Sequence, residues 1–170
     1  MHVAQPLPRT AAAVGFAIDA YAGVEVRPGK GLPHAEAVAD ILRADGADES
    51  TQVAALLHDV VEDTSLTVED IRAVFGDRVA AMVAALSEDG SIKRYAARKR
   101  ALRSQVAAAE PATTDIALAD KIASLRHAAI TGEHISARKL GHYRATLRLA
   151  QASGASTRLV AQLERLLEPV

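Results

Sequence analysis

The chain has 170 residues, enough for one domain with a substantial core and too few for two catalytic domains. Hydrophobic residues make up 49% of it and aromatic residues only 3%, so alanine and aliphatic side chains must form the core, as in closely packed helices. The net charge of −1 excludes a general attraction to nucleic acids or anionic membranes, and the absence of cysteine excludes disulfides and thiolate chemistry. Because the sequence shows no apolar signal segment or membrane span, we expect a cytoplasmic protein without a membrane or nucleic-acid partner.

Hydrophobic periodicity predicts helices throughout the chain and no strands. We expect an all-α fold of about eight to nine helices in a single domain over residues 1–170, with a core over about 10–150 and C-terminal helices to 168. In chain order, the predicted helices cover residues 10–22, 34–45, 50–64, 67–75, 77–86, 91–110, 114–131, 136–152 and 156–167. Capping side chains are expected at the start of four of them, namely Thr10, Ser50, Thr67 with Asp70, and Thr113 or Thr114.

The segment HDVVEDT, which runs from His58 to Thr64, places an imidazole and three carboxylates at the end of an otherwise apolar helix. A helix without a polar face is normally buried, and buried ionisable groups are costly unless they are paired or bound to a cation. Glu62 lies one helical turn after His58, and Asp63 lies one turn after Asp59. We therefore expect His58 and Asp59 to hold a metal ion while Glu62 and Asp63 handle a proton. A solvated helix end is the alternative.

Two further residues are candidates for the same metal site. Asp120 interrupts an apolar stripe that continues to Ile130 on the helix beginning near Thr114, and a buried carboxylate needs a partner. His34 follows Pro33 at the start of the second predicted helix. An arginine salt bridge for Asp120 and a surface position for His34 are the structural alternatives.

Taken together, the candidates are two imidazoles and two carboxylates from three helices. This mixed nitrogen and oxygen donor set suits an octahedral Mn²⁺, Fe²⁺, Mg²⁺ or Zn²⁺ whose remaining positions hold water. Open positions of that kind are typical of a metal that takes part in chemistry. The sequence therefore predicts a metal-dependent enzyme.

The chain resembles the HD-domain metallophosphohydrolases, and within them the hydrolase domain of the RelA/SpoT alarmone enzymes and their small stand-alone relatives. The resemblance covers roughly residues 15–145. Four segments in the family's order carry it: HAEAVADIL from His34, ALLHDVVEDT from Ala55, TVEDIRAVFGDRVAAMVAAL from Thr67, and LADKIASLR from Leu118. The second matches the family's HDxxED signature in full.

The resemblance implies a helical HD-domain bundle that hydrolyses the 3′-pyrophosphate of (p)ppGpp, giving GDP or GTP and pyrophosphate. It implies that the phosphorylated guanine nucleotide is the substrate. Because 170 residues leave no room for a synthetase domain, we expect hydrolysis alone. The implied metal is Mn²⁺, and the acidic pair Glu62 and Asp63 would position and activate the attacking water. The implied metal ligands are His34, His58, Asp59 and Asp120.

Several side chains are expected to contact the substrate. A polyphosphate requires fixed cations, a planar guanidinium can stack on a base, and Tyr143 resembles an aromatic residue near the ribose. A solvated loop or helix face is the alternative for each cation, and core packing is the alternative for the tyrosine. The predicted substrate-binding residues are Arg27, Lys30, Lys99, Lys121, Ser124, Arg126 and Tyr143.

The sequence departs from the family pattern where substrate is recognised. Ser124 stands where the family has asparagine, and Ala35 replaces a proline after the first histidine. The loop around Arg27 and Lys30 aligns only loosely with the family's Arg-Lys pair. These departures leave open an HD phosphohydrolase for another nucleotide or phosphate ester, a catalytically silent nucleotide-binding module, and a helical adaptor whose acids are incidental.

Overall fold

The computed structural model describes residues 8–168, and every regular element in that range is a helix. The predicted all-α bundle is therefore confirmed for the described part of the chain. Nine helices have eight residues or more, and α4 is a single turn. The helices are α1 (Arg9–Tyr21), α2 (Leu32–Asp45), α3 (Glu49–Leu57), α4 (Val60–Asp63), α5 (Val68–Phe75), α6 (Asp77–Leu86), α7 (Tyr95–Ala108), α8 (Pro111–Thr131), α9 (Ala137–Ala152) and α10 (Thr157–Leu167).

The predicted end of α2 and the predicted start of α5 agree with the structure, whereas α2 begins at Leu32, two residues before the predicted start. Gly46 ends α2 with a φ of 87°, a left-handed conformation that glycine adopts without steric cost. At the start of α5, the backbone N–H of Thr67 donates to Asp70 Oδ2 at 2.8 Å, and the Asp70 N–H donates back to the Thr67 hydroxyl. This reciprocal pair is a capping box, as the sequence predicted.

Three predicted caps are wrong. Thr10 lies inside α1, which begins at Arg9 after Pro8. Asp48, and not Ser50, caps α3 by accepting hydrogen bonds from the Thr51 N–H and hydroxyl at 2.8 Å each. Thr113 and Thr114 are buried inside α8, because Pro111 is its first residue and the fixed φ of proline favours that position.

The HDVVEDT segment is not part of one continuous helix, contrary to the sequence prediction. α3 ends at Leu57, and His58 and Asp59 form a turn before α4. His58 Nδ1 donates to the Ala55 carbonyl oxygen at 2.7 Å, the oxygen that residue 59 would use in an uninterrupted helix. The break projects the two metal-ligand candidates from a helix junction rather than from a helix face.

α3 lies at the centre of the bundle and packs against α1, α2, α6 and α8. Its residues Val53, Ala54, Ala55 and Leu57 are fully buried. α8 is also largely buried, but the predicted apolar stripe does not reach its end, because Ile130 is 86% exposed. The packing of α2 and α3 against α8 brings the three predicted metal-binding segments together. Within residues 8–168, no helix combines the length and apolar character needed to cross a membrane.

Candidate active site

Three of the predicted metal ligands form one cluster, in which both histidines are buried and the aspartate is partly buried. His34 in the first turn of α2, His58 at the α3–α4 junction and Asp120 in the middle of α8 each offer one ligand atom, and these atoms lie within 4.8 Å of one another. The Nε2 atom of His34 is 2.8 Å from Asp120 Oδ1, and the Nε2 atom of His58 is 4.0 Å from the same oxygen. Residues separated by more than 80 positions in sequence therefore form a single donor set.

His58 shows that this cluster suits a cation. Because its Nδ1 donates to a carbonyl oxygen, the neutral form of the ring has its lone pair on Nε2, which then acts as an acceptor. Nε2 is buried and has no hydrogen-bond partner among the described residues. A buried acceptor without a donor is costly, and a divalent ion satisfies it. The two imidazoles and the carboxylate thus fit a metal ion.

Asp59, the fourth predicted ligand, lies beside the cluster. Its Oδ1 is 3.3 Å from His58 Nε2, and its Oδ2 accepts a hydrogen bond from Lys30 at 3.4 Å. The geometry brings three of the four predicted ligands together and leaves the carboxylate of Asp59 at the edge of the cluster. Its role as a ligand stays a prediction.

Both aspartates are held in the ionised form that metal binding requires. Burial by itself would raise the pKa of Asp120, but Lys121 and His34 outweigh it and hold that pKa well below its ordinary value. Lys121 Nζ donates to Asp120 Oδ2 at 2.5 Å. Burial likewise opposes ionisation of Asp59, but His58 and Lys30 lower its pKa overall.

The acidic pair Glu62 and Asp63 lies at the mouth of the cluster. Glu62 accepts a hydrogen bond from the backbone N–H of Glu88 at 2.5 Å, and Asp63 accepts one from the Tyr21 hydroxyl at 3.1 Å. Partial desolvation in the cavity and the nearby Asp59 charge raise the pKa of Glu62. A carboxylate whose pKa is raised towards neutrality is better suited to accept a proton.

A cavity of about 460 Å³ joins these groups to most of the predicted substrate contacts. Asp59, Asp120, Glu62 and Asp63 line it on one side. Six of the seven predicted substrate-binding residues also line it, namely Arg27, Lys30, Lys99, Lys121, Ser124 and Tyr143.

Arg126 is the predicted contact that the structure does not bring to the cavity. Its side chain is exposed and donates to Gln162 Oε1 on α10 at 3.0 Å. Lys99 reaches the cavity while paired with the carboxylate of Glu88.

A second cavity of about 560 Å³ adjoins the first and shares Arg27, Lys30, Ser124 and Lys139 with it. The loop after α1 forms one wall and α8 the other. Gly29, with a φ of 73°, lies so close to α8 that a Cβ atom would approach the His127 ring to 2.8 Å. The positive φ favours glycine there, and a larger residue would also displace the His127 ring.

The sequence analysis identified neither Lys139 nor His142 as a site residue. Lys139 lines both cavities, and the signal was available, because Lys139 lies one turn before Tyr143 on α9. His142 is buried at the inner end of the site, and no pattern in the sequence indicated that position.

The chain is similar to known proteins over most of its length. The family model described as HD domain matches residues 13–147. A protein of Danio rerio named guanosine-3′,5′-bis(diphosphate) 3′-pyrophosphohydrolase MESH1 is 35% identical over 118 residues, which cover 66% of this chain and 65% of that protein. A Synechocystis protein named probable guanosine-3′,5′-bis(diphosphate) 3′-pyrophosphohydrolase is 44% identical over 69 residues, 40% of this chain and 9% of that protein. The chain thus spans less than two thirds of these relatives.

Solved structures have the same fold. One, described as a metazoan ortholog of SpoT that hydrolyses ppGpp, superposes with a TM-score of 0.78 at 25% identity and covers 96% of both chains. A protein of Listeria monocytogenes superposes with a TM-score of 0.67 at 29% identity, covering 79% of this chain and 92% of that one. With the family model matched from α1 into α9 and the HD cluster in place, the chain belongs to the HD-domain family.

Proposed function

We propose that this protein hydrolyses the 3′-pyrophosphate of (p)ppGpp to GDP or GTP and pyrophosphate. The observation that carries the proposal is the cluster of His34, His58 and Asp120, which adjoins a cavity lined by both acidic and basic side chains. The names of the relatives, which describe that reaction for those proteins, support it. The proposed protein is one cytoplasmic domain over residues 1–170, of which residues 1–7 and 169–170 lie outside the described range.

The proposed cofactor is Mn²⁺. His34, His58 and Asp120 would hold it, and Asp59 would join them through the carboxylate now 3.3 Å from His58 Nε2. When bound, a divalent ion polarises a phosphoryl oxygen and lowers the pKa of water.

Glu62 is the proposed general base. It takes a proton from the attacking water, whose oxygen bonds to the phosphorus attached to ribose O3′. The P–O3′ bond breaks, and Glu62 returns the proton to O3′, which leaves as the nucleotide hydroxyl. Asp63 orients the water, and its hydrogen bond from Tyr21 holds its carboxylate in place.

The basic side chains are proposed to bind the substrate phosphates. Three lysines from three different elements line the cavity beside the predicted metal ligands, namely Lys30, Lys99 and Lys121. Their charges would offset those of a diphosphate. Arg27 and the adjoining cavity of about 560 Å³ provide room for the nucleoside. Ser124 and Tyr143 lie between the two regions and are proposed to contact the ribose. Arg126 remains a proposed contact that would require its side chain to leave Gln162.

Ser124 favours one alternative, which is hydrolysis of another nucleotide or phosphate ester. Serine is shorter than the asparagine of the family pattern and offers fewer hydrogen-bonding atoms to a base or ribose. A panel of ppGpp, pppGpp, nucleoside monophosphates and phosphorylated dinucleotides separates the two functions. Pyrophosphate release from ppGpp alone supports the proposal, and turnover of another member alone supports the alternative.

The decisive experiment measures pyrophosphate release from ppGpp by the purified protein with added Mn²⁺. The Asp120→Asn variant is the blank, and Asp19→Asn, which removes an exposed carboxylate on α1, is the matched control. We expect GDP and pyrophosphate from the wild type and from Asp19→Asn only. Bound manganese with no turnover of any phosphorylated nucleotide would instead support a silent binding module, and absence of any bound metal would support a helical adaptor.

A further inference from the structure

A small cavity of about 80 Å³ extends from the predicted metal ligands into the junction of α7 and α9. Its lining includes His58 and Asp120. It also includes Lys99 and Arg103 from α7 and His142 from α9, a group that we call the α7–α9 seam. The seam is therefore on a wall of the same space as the proposed reaction centre.

His142 presents an unused hydrogen-bond donor in this cavity. Arg103 Nη1 lies 2.8 Å from His142 Nδ1, and because a guanidinium can only donate, Nδ1 accepts and the proton lies on Nε2. Nε2 is buried and has no partner among residues 8–168, and the residue is only 6% exposed. Burial and the neighbouring cations Lys121 and Lys99 lower the pKa of His142 to about 3, which keeps the imidazole neutral and this tautomer intact.

Arg103 is a cation without a counter-ion in the described part of the chain. It forms no ion pair within 4.0 Å there, and its hydrogen-bond partner is the neutral His142. Burial and the charges of Arg100 and Arg148 lower its pKa, as expected where positive charge is not compensated. A partly buried guanidinium in such surroundings is stabilised by an anion.

The outer side of the seam is also basic. A groove of about 230 Å³ shares Lys99, Arg103 and His142 with the inner cavity and adds Arg100 and Arg138 from the surface. No carboxylate lines this groove among the described residues. The inner cavity is also lined by four carboxylates, namely Asp59, Glu62, Glu88 and Asp120. Three of them are already paired with other cations, Glu88 with Arg98 and Lys99, Asp59 with Lys30, and Asp120 with Lys121. Basic side chains therefore continue from the surface groove into the inner cavity, where Arg103 has no carboxylate partner of its own within the described range.

We propose that Lys99, Arg103 and His142 form an oxyanion subsite that holds the diphosphate group released by the reaction. The ligand must be an acceptor, because all three side chains present donors. It must also be small, because this cavity of about 80 Å³ is much smaller than the neighbouring cavities of about 460 and 560 Å³. The diphosphate group of the substrate, which would be cleaved beside His58 and Asp120, would lie next to the α7–α9 seam as well. This inference rests on the proposed hydrolase function for the identity of the diphosphate.

The test is calorimetric titration of inorganic pyrophosphate into the full chain in buffer containing Mg²⁺. We expect Arg103→Met and His142→Phe each to weaken pyrophosphate binding about tenfold or more, the usual effect of losing a hydrogen bond to a charged group. His142→Gln should bind within about threefold of wild type, because its amide keeps an acceptor for Arg103 and a donor for the ligand. Arg148→Met is the matched control, since it removes an exposed charge near Arg103 outside either cavity.

Titration of GDP into the same variants shows whether the α7–α9 seam binds the released diphosphate or the diphosphate that stays on the nucleotide. Unchanged GDP affinity with weakened pyrophosphate binding supports the proposal. Weakened GDP binding alone overturns it. Wild-type pyrophosphate affinity in folded Arg103→Met and His142→Phe proteins also overturns it. The proposal is likewise wrong if Arg148→Met weakens pyrophosphate binding as much as the other two substitutions do. Thermal unfolding establishes that each variant is folded. Because pyrophosphate binding is measured without turnover, a protein that bound pyrophosphate through the seam but left ppGpp intact would contradict the proposed function and not the subsite.

Discussion

At the residue scale, the two nitrogens of His58 define the chemistry of the centre. Nδ1 is committed to the Ala55 carbonyl, and Nε2 is enclosed beside two carboxylates with no donor to satisfy it. Such an arrangement is costly for a protein alone and favourable around a cation. The sequence indicated which residue types would meet, but the tautomer of His58 follows from the fold.

The cluster of predicted metal ligands leads to a prediction for Asp120. Asp120→Asn keeps the size of the side chain but removes the charge that His34 and Lys121 stabilise. We expect the variant to lose bound manganese on dialysis and to lose at least about a hundredfold in activity, the upper range for altered metal-site partners. Elemental analysis and pyrophosphate release are the measurements, with Asp19→Asn beside them. Retention of metal by Asp120→Asn would remove this carboxylate from the donor set.

Glu62 leads to a different prediction, because it lies outside the donor cluster. Glu62→Gln keeps the hydrogen bond from the Glu88 N–H but cannot accept a proton. We expect metal content to stay at the wild-type level while kcat falls about a hundredfold or more, the usual contribution of an acid–base residue. Exposed Glu36 on α2 supplies the control substitution Glu36→Gln. A full rate in Glu62→Gln would mean that another group takes the proton.

At the scale of the elements, periodicity predicted the helices well and their first residues less well. The amphipathic stretches of α5, α6, α9 and α10 match the predicted ranges closely, because one face of each must be buried. The predicted start of α8 at residue 114 is three residues late, because Pro111 is the first residue of that helix. The helix break at His58 was missed because nothing in an apolar stretch indicates that a side chain will take a backbone carbonyl.

The corrected cap of α3 can be tested through stability. Asp48→Ala removes the acceptor for Thr51 and the partner of Arg78, so we expect the free energy of unfolding to fall by about 1 kcal/mol. Ser50→Ala should cost less than half of that, because Ser50 does not cap the helix. Chemical denaturation of both variants at pH 7 is the measurement, and equal losses would argue against Asp48 as the cap.

The stability that the Asp48 cap contributes should depend on pH. Burial opposes ionisation of Asp48, but hydrogen bonds from Thr51 and Arg78 lower its pKa in the folded state. A carboxyl whose folded pKa is below its unfolded value of about 3.9 stabilises the protein above that pH and loses this contribution as pH falls through the folded pKa. The stability difference between wild type and Asp48→Ala should therefore be larger at pH 6 than at pH 3. A difference that does not change with pH would show that the charge is unimportant.

At the scale of the whole molecule, the predicted metal ligands come from helices that are distant in sequence. His34, His58 and Asp120 join α2, the α3–α4 junction and α8, so an ion bound there is also a cross-link in the fold. A ligand that binds only the folded state adds about 2.7 kcal/mol at a hundredfold excess over its dissociation constant. We expect chelation to lower the thermal midpoint and added Mn²⁺ to restore it. The Asp120→Asn protein should show neither change, and a manganese response that persists in it would place the stabilising ion elsewhere.

The sequence by itself determined the helical class, the HDVVEDT segment and the chemical types of the donor residues, because periodicity, composition and motif spacing are local properties. Tertiary structure decided which of these groups meet. It brought His34 to Asp120 across 86 positions, placed Arg126 on an exposed face, and enclosed His142 next to the candidate metal ligands. The physical reason is that burial and hydrogen-bond partners depend on how helices pack, and packing is settled by contacts between residues far apart in the chain.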